Sequence, residues 1–150
     1  MLRRKISFFP LFSLVNIALN KPSFQSSQYN QDKKPSLAND GDIMTVTVTS
    51  YSGTVNRYWW YVDLQEVVNI NRVIVYLSKY AFRRGYYKEI KVQTKKMESD
   101  VYSECHRIIV KNTENTILCD VPTQGRFVRV VGLVKFGEPF YLTEVEVYKL

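Results

Sequence analysis

The sequence predicts an all-β protein, a two-layered β-sandwich or jelly roll, and three observations carry that prediction. Apolar residues recur with a period of two. Val73, Val75 and Leu77 alternate with Arg72, Ile74 and Tyr76; Ile90 and Val92 alternate with Glu89, Lys91 and Gln93; Val145 and Val147 alternate with Glu144, Glu146 and Tyr148. Successive side chains of a strand point to opposite faces, so each run reads as a strand with one face buried. The 11 tyrosines, 8 phenylalanines and many valines and threonines favour the same pleated, half-buried surface. No segment repeats apolar residues at helical spacing for long, and several short strands divided by polar turns point to a sandwich rather than a parallel α/β sheet.

Taken in chain order, the first element is residues 1–15. Arg3, Arg4 and Lys5 precede an apolar stretch from Ile6 to Val15, the order of a secretory signal, and too short to span a membrane as a helix. Pro10 interrupts that stretch and no small-x-small cleavage site precedes Asn16, so two readings stay open: a short, atypical signal, or the remnant of a gene that starts upstream. Residues 16–150 read as one domain, because the length suits one core and no linker or repeat divides it.

Tyr58-Trp59-Trp60-Tyr61-Val62-Asp63-Leu64 is the anchor strand. Adjacent tryptophans cannot share a face, so one is expected to bury with Val62 and Leu64 while the other turns outward with Asp63. Further on, Cys105 and Cys119 lie fourteen positions apart. Ile108 to Val110 and Thr116 to Leu118 read as strands about a Lys111–Asn115 turn, a hairpin-like segment that brings the cysteines together and predicts a disulfide. The alternative is two unrelated buried thiols.

Charge and composition restrict function. With 21 Lys and Arg against 14 Asp and Glu the net charge is +7, which favours acidic partners, but the basic residues are dispersed and no helix-borne basic stripe or zinc-finger spacing supports nucleic-acid binding. Catalysis finds no constellation. His106 is the single histidine, its neighbour Cys105 points to the opposite face, and Gly-rich phosphate loops and Gly-x-Ser-x-Gly elbows are lacking.

The tryptophan strand sits among Asn16-Ile17-Ala18-Leu19-Asn20-Lys21-Pro22, Asn39-Asp40-Gly41-Asp42, Gly125-Arg126-Phe127-Val128-Arg129-Val130 and Leu142-Thr143-Glu144-Val145-Glu146-Val147. In that order these segments resemble the F-type lectins (fucolectins, with the tachylectin and pentraxin-type domains), a branch of the coagulation-factor type C, discoidin-like β-sandwiches. The resemblance spans Asn16 to Lys149. It implies a secreted, non-enzymatic carbohydrate-binding module, with a disulfide where Cys105 and Cys119 stand and a structural calcium ion. Fucosylated or acidic glycans are the implied partners. A discoidin-like adhesion module, with the Lys79 to Lys88 loop and Lys33-Lys34 on anionic lipid or a protein, is the alternative. Homo-oligomers are left open.

The turn Leu37-Ala38-Asn39-Asp40-Gly41-Asp42 offers hard oxygen ligands and a glycine for tight curvature, which suits calcium. By position the resemblance assigns the Leu37 carbonyl, Asp40, Asp42, an oxygen within Thr45 to Ser50, the Thr143 carbonyl and Glu144. The competing reading is an Asx-type turn with solvated carboxylates.

The family's fucose site departs further. It uses a histidine and two arginines; here Thr49 or Ser50 falls at the histidine position, Lys79, by a small slip from Leu77, at the first arginine, and Arg84 at the second. Tyr80-Ala81 replaces an adjacent-cysteine element. A charged hydrogen bond contributes about 1.5–3 kcal/mol, so losing two weakens fucose binding roughly a hundredfold to ten-thousandfold. The candidate sugar contacts are Arg84, Lys79, Tyr80, Thr49 and Ser50, in a loop from Lys79 to Lys88 that interleaves cations with aromatics. The plain alternative is a solvated loop whose aromatics cap the core.

Overall fold

A computed structural model describes residues 15–150, so residues 1–14 of the signal-like or remnant segment lie outside the described residues. Among the described residues eight strands, a 3-10 turn (Pro35–Ala38, between β1 and β2) and one short α-helix follow in the order β1 (Ser23–Gln25), β2 (Thr47–Val48), β3 (Arg57–Leu77), α1 (Lys79–Arg83), β4 (Tyr87–Lys95), β5 (Ser103–Ile109), β6 (Glu114–Ile117), β7 (Thr123–Val134) and β8 (Tyr141–Lys149). All pairings are antiparallel, in the order β2-β8-β3-β7-β4-β5 with β1 and β6 also on β3. The fold is a discoidin-like β-sandwich.

The 21-residue β3 makes two layers of this network. Its residues up to Ile70 pair with β1 and β7 and those from Ile70 onward with β6 and β8; the β7 register breaks between Asp63 and Val68 and the β8 register between Ile70 and Arg72. At the first break Gln65 takes a φ of 67°, and its amide donates to the Asp63 carboxylate at 2.8 Å. Strands that switch layers do so at such bends. The inward set keeps its parity through Tyr58, Trp60, Val62, Leu64, Val68 and Ile70 and changes only at the second break, to Val73, Val75 and Leu77, all buried in one core with Ile90, Val92, Val130, Val145 and Val147. Trp60 is 1% exposed and its indole donates to the Pro35 carbonyl at 2.9 Å, while Trp59 faces outward with Asp63, as the alternation requires.

Two expectations need correction. Cys105 and Cys119 are bonded, with Cα atoms 4.4 Å apart, but the segment between them is not a hairpin. β5 pairs with β4 and β6 with β3, so the chain crosses between layers and the disulfide ties the crossing; the Asp120 amide also donates to the Cys105 carbonyl at 2.9 Å. The Lys79 to Lys88 stretch is not one loop either. Ser78 caps a helical turn by accepting from the Ala81 amide at 3.3 Å, and Tyr87 already belongs to β4 and is buried.

Candidate functional site

α1 stands at the start of β4, and one buried side chain fixes it there. The Tyr87 hydroxyl accepts from the Ser78 amide at 3.0 Å and donates to the Tyr141 carbonyl at 2.7 Å, joining the helix N-terminus to the first residue of β8. Burial raises its pKa far above the ordinary tyrosine value, so it remains a donor. The neighbouring Phe140 ring packs edge-on against Tyr87 at 6.2 Å and covers Gly132, where an added Cβ would lie 2.4 Å from the ring.

This buttress displays an aromatic groove. Tyr80 on α1, Tyr86 and Tyr141 meet with ring centroids 5.7–6.3 Å apart. Tyr29 and Tyr51 stack at 6.4 Å, and these five rings with Lys33 and Glu138 line an open cavity of about 340 Å³. Burial, with the Glu138 carboxylate nearby, raises the pKa of Tyr86 and Tyr141, so both remain protonated at neutral pH. The Arg84 guanidinium lies over the Tyr80 ring at 3.7 Å and reaches the Tyr80 carbonyl at 3.4 Å.

Of the expected sugar contacts, Tyr80 lines this groove, and Arg84 stacks on Tyr80 at its edge without lining it. Thr49 is elsewhere: it is 2% exposed, and its hydroxyl accepts from the Phe140 amide at 2.9 Å, a buried structural role. Ser50 is exposed but lines a neighbouring depression with Ser26, Ser27 and Val55, joined to the groove through Tyr51. Lys79 is exposed at the first position of α1 and does not line the groove. Sequence reasoning missed Tyr29, Tyr51 and Tyr141, whose signal was only the high tyrosine count.

The acidic turn has both features weighed for it. The Asp40 carboxylate accepts from the Asp42 amide at 2.9 Å and the Asp42 carboxylate from the Met44 amide at 2.8 Å, as Asx turns do. Yet the Thr45 hydroxyl lies 2.7 Å from Asp40 Oδ2, 2.9 Å from the Asp42 carbonyl and 3.2 Å from the Leu37 carbonyl. One hydroxyl proton serves one strong hydrogen bond, so these acceptor oxygens converge without enough donors. Gly41, at a φ of 82°, permits the curvature.

Glu144 completes the region from β8. The register between β3 and β8 slips so that Tyr76 faces Glu144 and Leu77 faces Leu142; this bulge turns Glu144 inward next to buried Val145, against simple alternation. Glu144 is 1% exposed, and neither carboxylate oxygen makes a well-formed hydrogen bond, although the Gly41 and Val145 amides lie near. Burial and then the nearby Asp40 push its pKa up to about 8, although the Gly41 and Val145 amides act in the other direction. Thr143, the bulged residue, donates its hydroxyl to the Tyr76 carbonyl at 2.6 Å. Among the described residues no three His, Cys, Asp or Glu side chains suffice to hold a metal by themselves, so an ion would need the carbonyls and hydroxyl as well.

The sequence matches the F5/8 type C domain over residues 23–144. The chain belongs to the F5/8 type C family. Its fold is similar to that of a chitosan-binding module of a Paenibacillus sp. IK-5 chitosanase/glucanase, at 24% identity and a TM-score of 0.76 over 89% of this chain and 98% of that one. A Streptococcus pneumoniae fucose-binding module is similar at 26% identity and a TM-score of 0.72, over 91% and 99% of the two chains. A striped bass (Morone saxatilis) serum fucolectin gives 21% identity and a TM-score of 0.74, with 92% of this chain matching 48% of that one. These neighbours agree with the F-type lectin resemblance within the discoidin-like superfamily. No curated protein matches the sequence. Among the described residues no helix is long and apolar enough to cross a membrane.

Proposed function

We propose that this domain is an extracellular, non-catalytic carbohydrate-binding module whose sugar site is the tyrosine-lined groove. The observation that carries the reading is the convergence of five tyrosine rings on one open groove beside Arg84. Aromatic faces stack against the C–H faces of sugar rings, and a guanidinium held flat by a ring presents parallel donors to a pair of hydroxyls. The structural neighbours described as binding fucose, the Lewis b antigen or chitotriose support it. The surplus of seven positive charges disfavours a polycation such as chitosan and favours neutral or acidic glycans. By the resemblance Arg84 is the one residue of the fucose triad that this sequence keeps, so ordinary fucose recognition is expected to be weak.

The same reading includes calcium at the acidic turn. The Leu37 carbonyl, Asp40, the Asp42 carbonyl and Thr45 supply hard oxygens, and buried Glu144 is an orphaned carboxylate beside them. A bound calcium would neutralise that crowding and pin the start of the Leu37–Thr45 segment to β8. The disulfide supports an oxidising, extracellular setting.

A glycan array probed with the oxidised domain in calcium tests the reading, with bare anionic vesicles in parallel. The expected result is a signal on uncharged glycans that Tyr80→Ala abolishes and no vesicle binding. Vesicle binding without any glycan signal would replace the lectin reading with a membrane-adhesion module.

A further inference from the structure

The outer face of the β1-β3-β7-β4-β5 layer carries a second chemical constellation, away from the groove. Strand register sets it in rows: Phe24 is beside Tyr61, Tyr61 beside Arg129 and Arg129 beside Gln93; two residues along β3, Asp63, Phe127 and Lys95 form the next row. Phe24 stacks on Tyr61 at 5.0 Å and Tyr61 on Trp59 at 5.6 Å, making an aromatic wall. Residues 96–102 then fold over this face. The Lys95 ammonium donates to the Glu98 carbonyl at 2.8 Å and lies 4.7 Å from the Tyr102 ring centre, and the Arg129 guanidinium lies 3.8 Å from that same centre.

Between the wall and this segment is a cleft of about 210 Å³ lined by Trp59, Tyr61, Tyr102, Lys95, Arg129 and Glu98, with Phe127. Its charges are left without ionic partners among the described residues. Arg126 next door is paired bidentately with Asp63 at 2.7 and 2.8 Å. Arg129 instead uses only its Nε, donating to Gln93 at 2.8 Å, which leaves its terminal N–H groups without a protein acceptor. Lys95 meets only a carbonyl, and the Glu98 carboxylate has no cation in contact. Partly desolvated cations held flat on aromatic rings favour a planar anion with a hydroxylated, apolar-faced body.

We propose that this cleft binds a carboxylate-bearing sugar residue, such as a uronic acid. The carboxylate would take the free N–H groups of Arg129 and the Lys95 ammonium, the ring would lie against Trp59 and Tyr61, and a sugar hydroxyl would donate to Glu98. A bare anion would use the cations but neither the rings nor Glu98. A neutral sugar would leave Arg129 unsatisfied. The volume is below the usual range for drug-sized ligands and suits a single ring.

The test is a titration with an oligosaccharide containing glucuronic acid, followed through the Trp59 indole resonance by NMR. Its carboxyl-reduced counterpart and inorganic sulfate serve as comparisons. The expected result is a shifted Trp59 signal with the acidic sugar, at least tenfold weaker binding of the reduced one, and little competition by sulfate. Arg129→Gln should weaken binding tenfold or more, Arg129→Lys less, and Tyr80→Ala in the separate groove should change nothing at Trp59. Equal binding of acidic and reduced sugars, full displacement by sulfate, or an unmoved Trp59 signal in the wild type would each overturn the proposal. The wild-type measurement decides the matter even where Arg129→Gln fails to fold.

Discussion

The acidic turn and the tyrosine groove are built in opposite ways. Leu37, Asp40, Asp42 and Thr45 come from one short segment, and only Glu144 arrives from afar. The groove draws Tyr29, Tyr51, Tyr80, Tyr86 and Tyr141 from separate parts of the chain. A site made of hard ligands places strict demands on local spacing, so it leaves a pattern in the sequence. An aromatic surface needs only ring area in roughly the right place, and any segment that the fold delivers there can supply it. The first site should therefore act mainly on stability and the second mainly on binding.

The largest expected effect separates them through the core. Gly132→Ala would drive a Cβ into the Phe140 ring, and overpacking of that kind costs about 3 kcal/mol. Because Phe140 adjoins Tyr141, glycan binding should fall with stability, while the melting temperature should still respond to calcium. Next in size is the calcium response itself. At a hundred times its dissociation constant, an ion that binds only the folded protein adds about 2.7 kcal/mol, roughly 5–10 °C in melting temperature for a domain of this size. Asp40→Asn and Glu144→Gln should lose that gain and Tyr80→Ala should keep it; an identical melt in calcium and chelator would remove the turn from the account.

Smaller per pH unit is the response to pH in the presence of chelator. The folded pKa of Glu144, about 8, lies above its ordinary value of 4.5, so the folded state prefers the protonated acid. Stability should be greatest below pH 4.5 as far as this group is concerned and decline as pH rises towards 8, by up to about 1.4 kcal/mol per pH unit. Glu144→Gln should flatten this dependence in a pH series of thermal melts. The smallest effect is at the groove edge, where Arg84→Lys keeps the charge but loses the flat guanidinium over Tyr80. Affinity for an array-selected glycan should drop severalfold, and Arg83→Lys, exposed on α1, should leave it unchanged.

What the sequence made legible followed from local rules. Alternation placed Trp60 inside and Trp59 outside and found the strands about Ile90 and Val75. It failed at Glu144, because a bulge opposite Tyr76 and Leu77 reversed the expected face, and a bulge leaves little trace in composition. The cysteine pairing was foreseen through a hairpin that does not exist; proximity came from a crossing between layers. At the proposed sugar site, alignment by position put Thr49 among the candidate contacts, whereas its hydroxyl is committed to the Phe140 amide. Tyr29 and Tyr141 were invisible there for the converse reason, since nothing in their neighbours marks a ring as part of a shared groove.

Whether the groove is the sugar site is decided by a calorimetric titration of the best uncharged array glycan into the wild type and Tyr80→Ala, both in calcium. Tyr80 is 49% exposed, so its truncation should spare the fold. Tyr80→Ala should bind at least tenfold more weakly, with an unchanged melting temperature. Equal affinities for the two proteins would contradict it.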